Sequence, residues 1–66
     1  MLSRYDIFCK VIDVGSFTRA AESLSYSQSA VSQAVKSLEQ ELGSTLVNRG
    51  KDGVTLTADG AMYLPY

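Results

Sequence analysis

The feature that most constrains the fold of this sequence is a pair of helix-period segments joined by a turn of only three residues. In the first segment, Phe17, Ala20, Ala21 and Leu24 recur at the spacing of one helix face, and residues 25–27 form the turn. The second segment is longer and carries an apolar stripe made of Val31, Ala34, Val35, Leu38 and Leu42. So short a connection brings the two helices into contact, which predicts a helix-turn-helix unit.

Serine and glycine residues mark where the helices begin and end. Ser3, Ser16 and Ser27 each precede a helix-period segment, and serine is a preferred N-cap because its hydroxyl accepts a backbone N–H. Gly15 and Gly43 follow the first and third segments, where glycine tolerates the left-handed backbone that ends a helix. The first helix has its own apolar stripe, made of Tyr5, Phe8, Cys9 and Ile12.

The periodicity changes after the third helix. Residues 46–49 and 54–57 are short strand-like runs, and the segment between them contains Asp-Gly, a strong hairpin signal. Thr57 is suited to cap a fourth helix. We therefore expect a mainly α fold with a small β-hairpin, which is a winged helix-turn-helix whose wing spans residues 46–57.

Composition argues against several classes of function. The 66-residue chain has no histidine and a single cysteine, Cys9, which removes imidazole metal sites, histidine acid–base catalysis and any intrachain disulfide. A domain of this size buries only about 60% of its unfolded surface, which leaves little room for an enclosed pocket. No run of residues approaches the roughly 18 apolar residues of a membrane helix. We expect no enzymatic activity, cofactor, metal site, small-molecule site or membrane contact.

Cys9 is expected to be a buried small hydrophobe rather than a redox switch, because it falls on the apolar stripe of the first helix. A free thiol also fits a reducing compartment. Tyr26, in the turn, is expected to pack on the core with its hydroxyl at the surface. For Tyr63 and Tyr66, in the fourth helix, interface packing is expected rather than stacking on nucleic acid.

The net charge of −1 does not suggest a generic polyanion binder, so the distribution of charge decides the interpretation. No acid occurs from residue 28 to 36, although Glu39 and Glu41 follow. The third helix thus has a neutral-to-positive front, which suits phosphates, and a negative back, which we expect in solvent. The polar residues of the front are Gln28, Ser29, Ser32, Gln33 and Lys36.

These residue types can read DNA. Glutamine pairs in a bidentate manner with adenine, serine bonds several bases or phosphate, and lysine reaches guanine or phosphate. The start of the second motif helix is where such proteins meet base edges. The alternative is that these residues simply form a solvated helix face.

Three further cations and one threonine are candidates for backbone contacts. Arg49 and Lys51 flank the hairpin tip and can reach a phosphate or the minor groove, although Asp52 offsets part of their charge. An ordinary polar hairpin is the alternative. Arg19 either faces the DNA backbone or pairs with Glu22. Thr18 either donates to a phosphate or caps its own helix.

Two runs, GSFTRAAESL from Gly15 to Leu24 and SQSAVSQAVKSLE from Ser27 to Glu39, resemble the signature of LysR-type transcriptional regulators. The resemblance covers essentially the whole chain. It continues through residues 41–43, Leu46, Arg49, residues 56–60 and residues 64–66.

The resemblance implies a bacterial cytoplasmic regulator that binds dyad-related sites on double-stranded DNA and dimerises through a linker helix. Residues 1–57 would be the DNA-binding domain, with recognition helix 28–42 in the major groove. Residues 58–66 would begin a truncated linker helix, so this chain alone is expected to be a monomer or a weak dimer. The residues expected at the DNA are Thr18, Ser27, Gln28, Ser29, Ser32, Gln33, Lys36, Arg49 and Lys51.

The sequence departs from the family pattern at three positions. Ser29 stands where proline is common, Gln33 where arginine is common, and Val47 where phenylalanine is usual. The changes at residues 29 and 33 alter the expected target sequence, and the change at residue 47 makes that part of the core smaller. The rival hypothesis is a protein-interaction module of the same fold, which the acidic net charge favours slightly.

Overall fold

The computed structural model describes residues 2–51 and 53–64, and its element order is that of a winged helix-turn-helix. Three helices are followed by an antiparallel hairpin and a short fourth helix, which confirms the predicted mainly α fold with a small β-hairpin. The elements are α1 Arg4–Val14, α2 Phe17–Leu24, α3 Gln28–Leu42, β1 Val47–Gly50, β2 Gly53–Leu56 and α4 Ala58–Tyr63.

Local side-chain caps set the helix boundaries as the sequence predicts. The Ser3 hydroxyl accepts the backbone N–H of Asp6, and the Asp6 carboxylate accepts the backbone N–H of Ser3 in return, a complete capping box. Ser16 and Ser27 cap α2 and α3 through the hydroxyl alone, which accepts the backbone N–H of Arg19 and of Ala30 respectively. Gly15 ends α1 with a φ of 71°, a left-handed conformation that costs glycine little.

The core lies where α1 packs across both α2 and α3. Its largest fully buried side chains are Phe8, Val11, Val31, Val35 and Leu46. Tyr26 is half-buried and packs against this core, as expected. Leu42, the last residue of the predicted apolar stripe, is instead 40% exposed and lines a shallow surface pocket beside Met62 of α4.

The two strands of the hairpin pair closer to the turn than the sequence predicted. Gly50 pairs with Gly53 at the end of the ladder. The first strand, β1, therefore lies one residue later than the predicted run 46–49. The second strand, β2, lies one residue earlier than the predicted run 54–57. Leu46 stands outside the ladder, where it is a core residue, 1% exposed, and its carbonyl accepts the N–H of Thr57. Both predicted strands were thus shifted by one residue, because cross-strand pairing continues up to the two glycines.

A backbone contact docks the hairpin on the end of α1. The N–H of Val54 donates to the carbonyl of Gly15 at 3.0 Å. Gly53 has a φ of 115°, and a Cβ there would stand 2.6 Å from that same carbonyl oxygen. Only glycine fits at this position, so the wing is held close to the helix-turn-helix.

The fourth helix is shorter than expected. It was predicted to continue to residue 66, but it ends at Tyr63, and Leu64 is extended, with φ −83° and ψ 116°. A residue that precedes proline is disfavoured in the helical region, which explains this end. The rest of the predicted helix, residues 65–66, lies outside the described residues.

Two predictions concern side chains of α1 and α4. The Tyr63 ring lies edge-on to Tyr5 at 5.4 Å and tilted to Phe8 at 6.2 Å, but it is still 36% exposed, so its packing at an interface stays a prediction. The prediction that Cys9 is buried was wrong, because this residue is half-buried. Desolvation, together with the neighbouring Cys9 thiol, raises the pKa of Tyr5.

Candidate nucleic-acid interface

The first turns of α3 present a polar face to solvent. Val31 and Val35 are fully buried on one side of α3, so helix periodicity turns the polar residues of these turns to the opposite side. Gln28, Ser29, Gln33 and Lys36 are exposed, and Ser32 is half-buried. This agrees with the face predicted from the periodicity of the helix.

One shallow groove gathers most of the predicted contact residues. We call it the α3–wing groove, and it is lined by Ser29, Ser32, Gln33, Lys36 and Arg49. Its lining contains two hydroxyls, one amide and two cations, and no carboxylate. This set can donate hydrogen bonds to phosphate oxygens and to the acceptor atoms of base edges.

Arg49 reaches this groove from the end of β1, beside the hairpin tip, where the sequence placed it. The sequence did not indicate its side-chain contacts. Its guanidinium carbon lies 4.4 Å from the centroid of the Phe17 ring, and Nη2 donates to the Ser32 Oγ at 3.4 Å. The side chain is thus laid back against α2 and α3, although it stays exposed to solvent.

The other predicted contact residues lie outside the groove lining. Thr18 is exposed in the first turn of α2, where Ser16 makes the cap. The Ser27 hydroxyl accepts the N–H of Ala30 at 3.1 Å, so it is engaged as the N-cap of α3. Lys51 is exposed in the hairpin loop, and its neighbour, residue 52, lies outside the described residues.

The cations that form ion pairs in the described residues both lie on α1. Arg4 on α1 pairs with Glu41 and donates to Ser37, and Lys10 on α1 lies 4.0 Å from Asp13. Within residues 2–51 and 53–64, no carboxylate lies within ion-pair distance of the remaining cations on α2, α3 and the wing. Those cations are Arg19, Lys36, Arg49 and Lys51. Positive charge is therefore left available on the elements that would face DNA.

The acidic back of α3 is not simply solvated, contrary to the expectation. The Glu39 carboxylate accepts the backbone N–H of Leu46 at 2.8 Å and that of Val47 at 3.3 Å. Glu41 forms the ion pair with Arg4. Both acids therefore stabilise contacts between elements. The alternative pairing of Arg19 with Glu22 does not occur among the described side chains.

Two residues that shape the site were not identified from the sequence. Phe17 was assigned only to the core, and Glu39 only to a negative surface. Their contacts join residues far apart in the chain, and no local pattern indicates them. For Glu39, the only available signal was a carboxylate one helical turn beyond the polar face, close to the start of the hairpin.

Neither a metal-binding cluster nor a membrane-length helix occurs in the described part of the chain. Residues 2–51 and 53–64 contain no cluster of histidine, cysteine and acidic side chains that would hold a metal ion. No helix within those ranges has the length and hydrophobicity needed to cross a bilayer.

Comparison with protein families gives one match across most of the chain. The family described as "Bacterial regulatory helix-turn-helix protein, lysR family" matches residues 2–61. The regulator CrgA of Neisseria meningitidis is 49% identical over 57 residues, which are 86% of this chain and 19% of that protein. The activator AaeR of Escherichia coli K12 is 45% identical over 62 residues, 94% of this chain and 20% of AaeR. The chain therefore spans about a fifth of the length of these relatives.

Solved structures with the same fold include complexes with DNA. The CbnR_DBD–DNA complex superimposes with a TM-score of 0.87 at 33% identity, covering 92% of this chain and 70% of that one. The BenM_DBD complex with benA site 1 DNA gives 0.85 at 35% identity, covering 91% and 70%. OxyR of Corynebacterium glutamicum gives 0.90 at 35% identity, covering 94% of this chain and 20% of that one.

Proposed function

We propose that this chain, which belongs to the lysR family of bacterial regulatory helix-turn-helix proteins, binds double-stranded DNA with α3 in the major groove. The observation that carries this proposal is the α3–wing groove, where hydroxyl, amide and cationic side chains meet without a carboxylate. Such a surface matches phosphates and base edges. The DNA complexes formed by the related CbnR and BenM domains support the same function.

Base readout is assigned to the exposed residues of α3. Gln28 and Gln33 each pair with an adenine through N6 and N7, and Lys36 reaches guanine or a phosphate. Ser29 and Ser32 donate to or accept from bases or phosphate. These residues sit in the turns of the helix that enter the major groove in helix-turn-helix proteins.

Backbone contacts are assigned to residues around α3. Arg49 and Lys51 from the wing and Thr18 from α2 bind phosphates, which fix the position of the protein on the duplex. Ser27 holds the start of α3 and presents its hydroxyl at the same end. Each cation–phosphate contact releases counterions, so affinity should fall with salt.

We extend the proposal to a full-length regulator of the size of the relatives, of which this chain would be the N-terminal part. Residues 1–57 form the DNA-binding domain and residues 58–66 begin the linker helix. In that protein, a cytoplasmic regulator dimerises through the linker helix and controls transcription. The relatives include a protein named as an activator and one named as a repressor, so this chain is compatible with either role. No catalytic role is assigned to it.

Two measurements test DNA binding against a protein-interaction role. Selection of bound sequences from a random duplex pool should enrich one motif, and affinity for a mixed-sequence duplex should decrease regularly with salt. A protein-interaction module would enrich no motif and show no regular salt slope. That pair of results would overturn the proposal.

A further inference from the structure

We infer that Phe17 is a positioning residue for DNA binding, because its ring holds the Arg49 guanidinium beside α3. The inference rests on the proposed function and assigns Phe17 a role beyond core packing. Arg49 lies with its guanidinium carbon 4.4 Å from the centroid of the Phe17 ring, within the range of a cation–π contact.

The contact positions Arg49 without using most of its hydrogen-bond donors. A guanidinium has five N–H donors that all lie in its plane, and the phenyl ring of Phe17 has no oxygen or nitrogen that accepts from them. Within the described residues, one donor, at Nη2, reaches the Ser32 Oγ at a long 3.4 Å. Donors therefore remain for a phosphate while the cation–π contact is kept.

The Phe17 ring is fixed in position by the core, so it can restrain a side chain that packs against it. It is 8% exposed and belongs to the core cluster formed by α1, α2 and α3. The N-cap at Ser16 fixes the start of α2 immediately before it. A rigid ring on α2 thus restrains a flexible side chain that originates on β1.

The geometry defines which DNA feature Arg49 meets. Ser32 and Lys36 line the same groove as Arg49, so the guanidinium belongs to the edge of the recognition surface. We therefore assign Arg49 to a phosphate that flanks the major groove occupied by α3. This placement couples the wing to the recognition helix through three residues, Phe17, Ser32 and Arg49.

A double-mutant cycle on the whole chain tests the role of Phe17. The four proteins are the unaltered chain, Phe17→Leu, Arg49→Ala and the double variant, each measured for affinity to a mixed-sequence duplex over a range of salt. Arg49→Ala should make the slope of log affinity against log salt shallower by about one unit. Phe17→Leu should weaken binding roughly two- to fivefold when Arg49 is present and have no effect when it is absent.

Stability is measured in parallel, because Phe17 is a core residue. Thermal melting should show that Phe17→Leu lowers the melting temperature in both backgrounds, and slightly less without Arg49, because the cation–π contact is then already absent. A second measurement needs no core variant: in the unaltered chain without DNA, the Phe17 ring current should shift the NMR signals of the Arg49 side chain upfield.

The outcomes separate this inference from the proposed function. If the unaltered chain shows no salt-dependent binding, the proposed function fails and the role of Phe17 fails with it. If binding is salt-dependent but Phe17→Leu weakens it equally in both backgrounds, only the positioning role is overturned. The absence of an upfield shift would also overturn it, whatever the binding data.

Discussion

The Glu39 carboxylate accepts a hydrogen bond from the backbone N–H of Leu46 at 2.8 Å. It also accepts the N–H of Val47 at 3.3 Å. One side chain of α3 thereby satisfies two backbone donors where the chain enters the hairpin. Since Arg49 follows three residues after Leu46, this contact helps to set where the wing stands relative to α3.

Removing the Glu39 carboxylate should destabilise the fold. Glu39→Ala leaves two N–H groups without their acceptor, and we expect a loss of about 1–3 kcal/mol in the free energy of unfolding. Glu39→Gln should lose less, because the amide oxygen still accepts a hydrogen bond. Chemical denaturation measures both. Glu41→Ala is the control, since its ion pair with Arg4 is exposed and should contribute less than about 1 kcal/mol. Equal losses at residues 39 and 41 would contradict this account.

Gly60 should not tolerate a side chain. It is buried in α4, and an added Cβ would collide with the carbonyl oxygen of Leu46 and stand 3.0 Å from a methyl carbon of Leu56. Overpacking of this kind costs about 1–3 kcal/mol, so Gly60→Ala should lower the melting temperature clearly. Gly50→Ala is the matched control, because the nearest atom to a Cβ there is 3.9 Å away. A neutral Gly60→Ala variant would show that α4 can move away from Leu46 and Leu56.

Gln28 and Gln33 should determine base preference at different positions. They lie five residues apart on α3, so their side chains diverge around the helix. Replacing either with alanine should cost about 1–3 kcal/mol on the preferred site and relax the preference at one base pair only. Selection from a random duplex pool, repeated with each variant, measures this. Unchanged preferences in both variants would remove the proposed direct readout.

The 66-residue chain by itself should be a monomer or a weak dimer at micromolar concentration. Helix α4 spans only Ala58–Tyr63, and helices shorter than about 12–15 residues are marginal when unsupported. Tyr63 is engaged with Tyr5 and Phe8 of its own chain, which leaves Met62, 86% exposed, as the main apolar side chain of α4. Sedimentation velocity measures the association state. A stable dimer at low micromolar concentration would refute this expectation.

The sequence by itself determined the helices, their order and the face that α3 presents. These features depend on local chemistry: Ser3, Ser16 and Ser27 bond backbone groups three residues away, and helix periodicity places apolar residues on one side. The polar residues from Gln28 to Lys36 are outward for the same reason. The family resemblance added the expected roles of these residues on DNA, which remain proposals.

The tertiary structure alone decided how Arg49 and Glu39 are used. Arg49 meets Ser32, which is 17 residues distant in the chain, and Glu39 meets the start of β1 across the end of α3. The sequence did not indicate these contacts of Arg49, and it placed Glu39 in solvent, because side-chain partners between elements depend on how those elements dock. That docking is fixed by close backbone approaches, such as Val54 on Gly15 and Gly60 on Leu46, which carry no periodic signal.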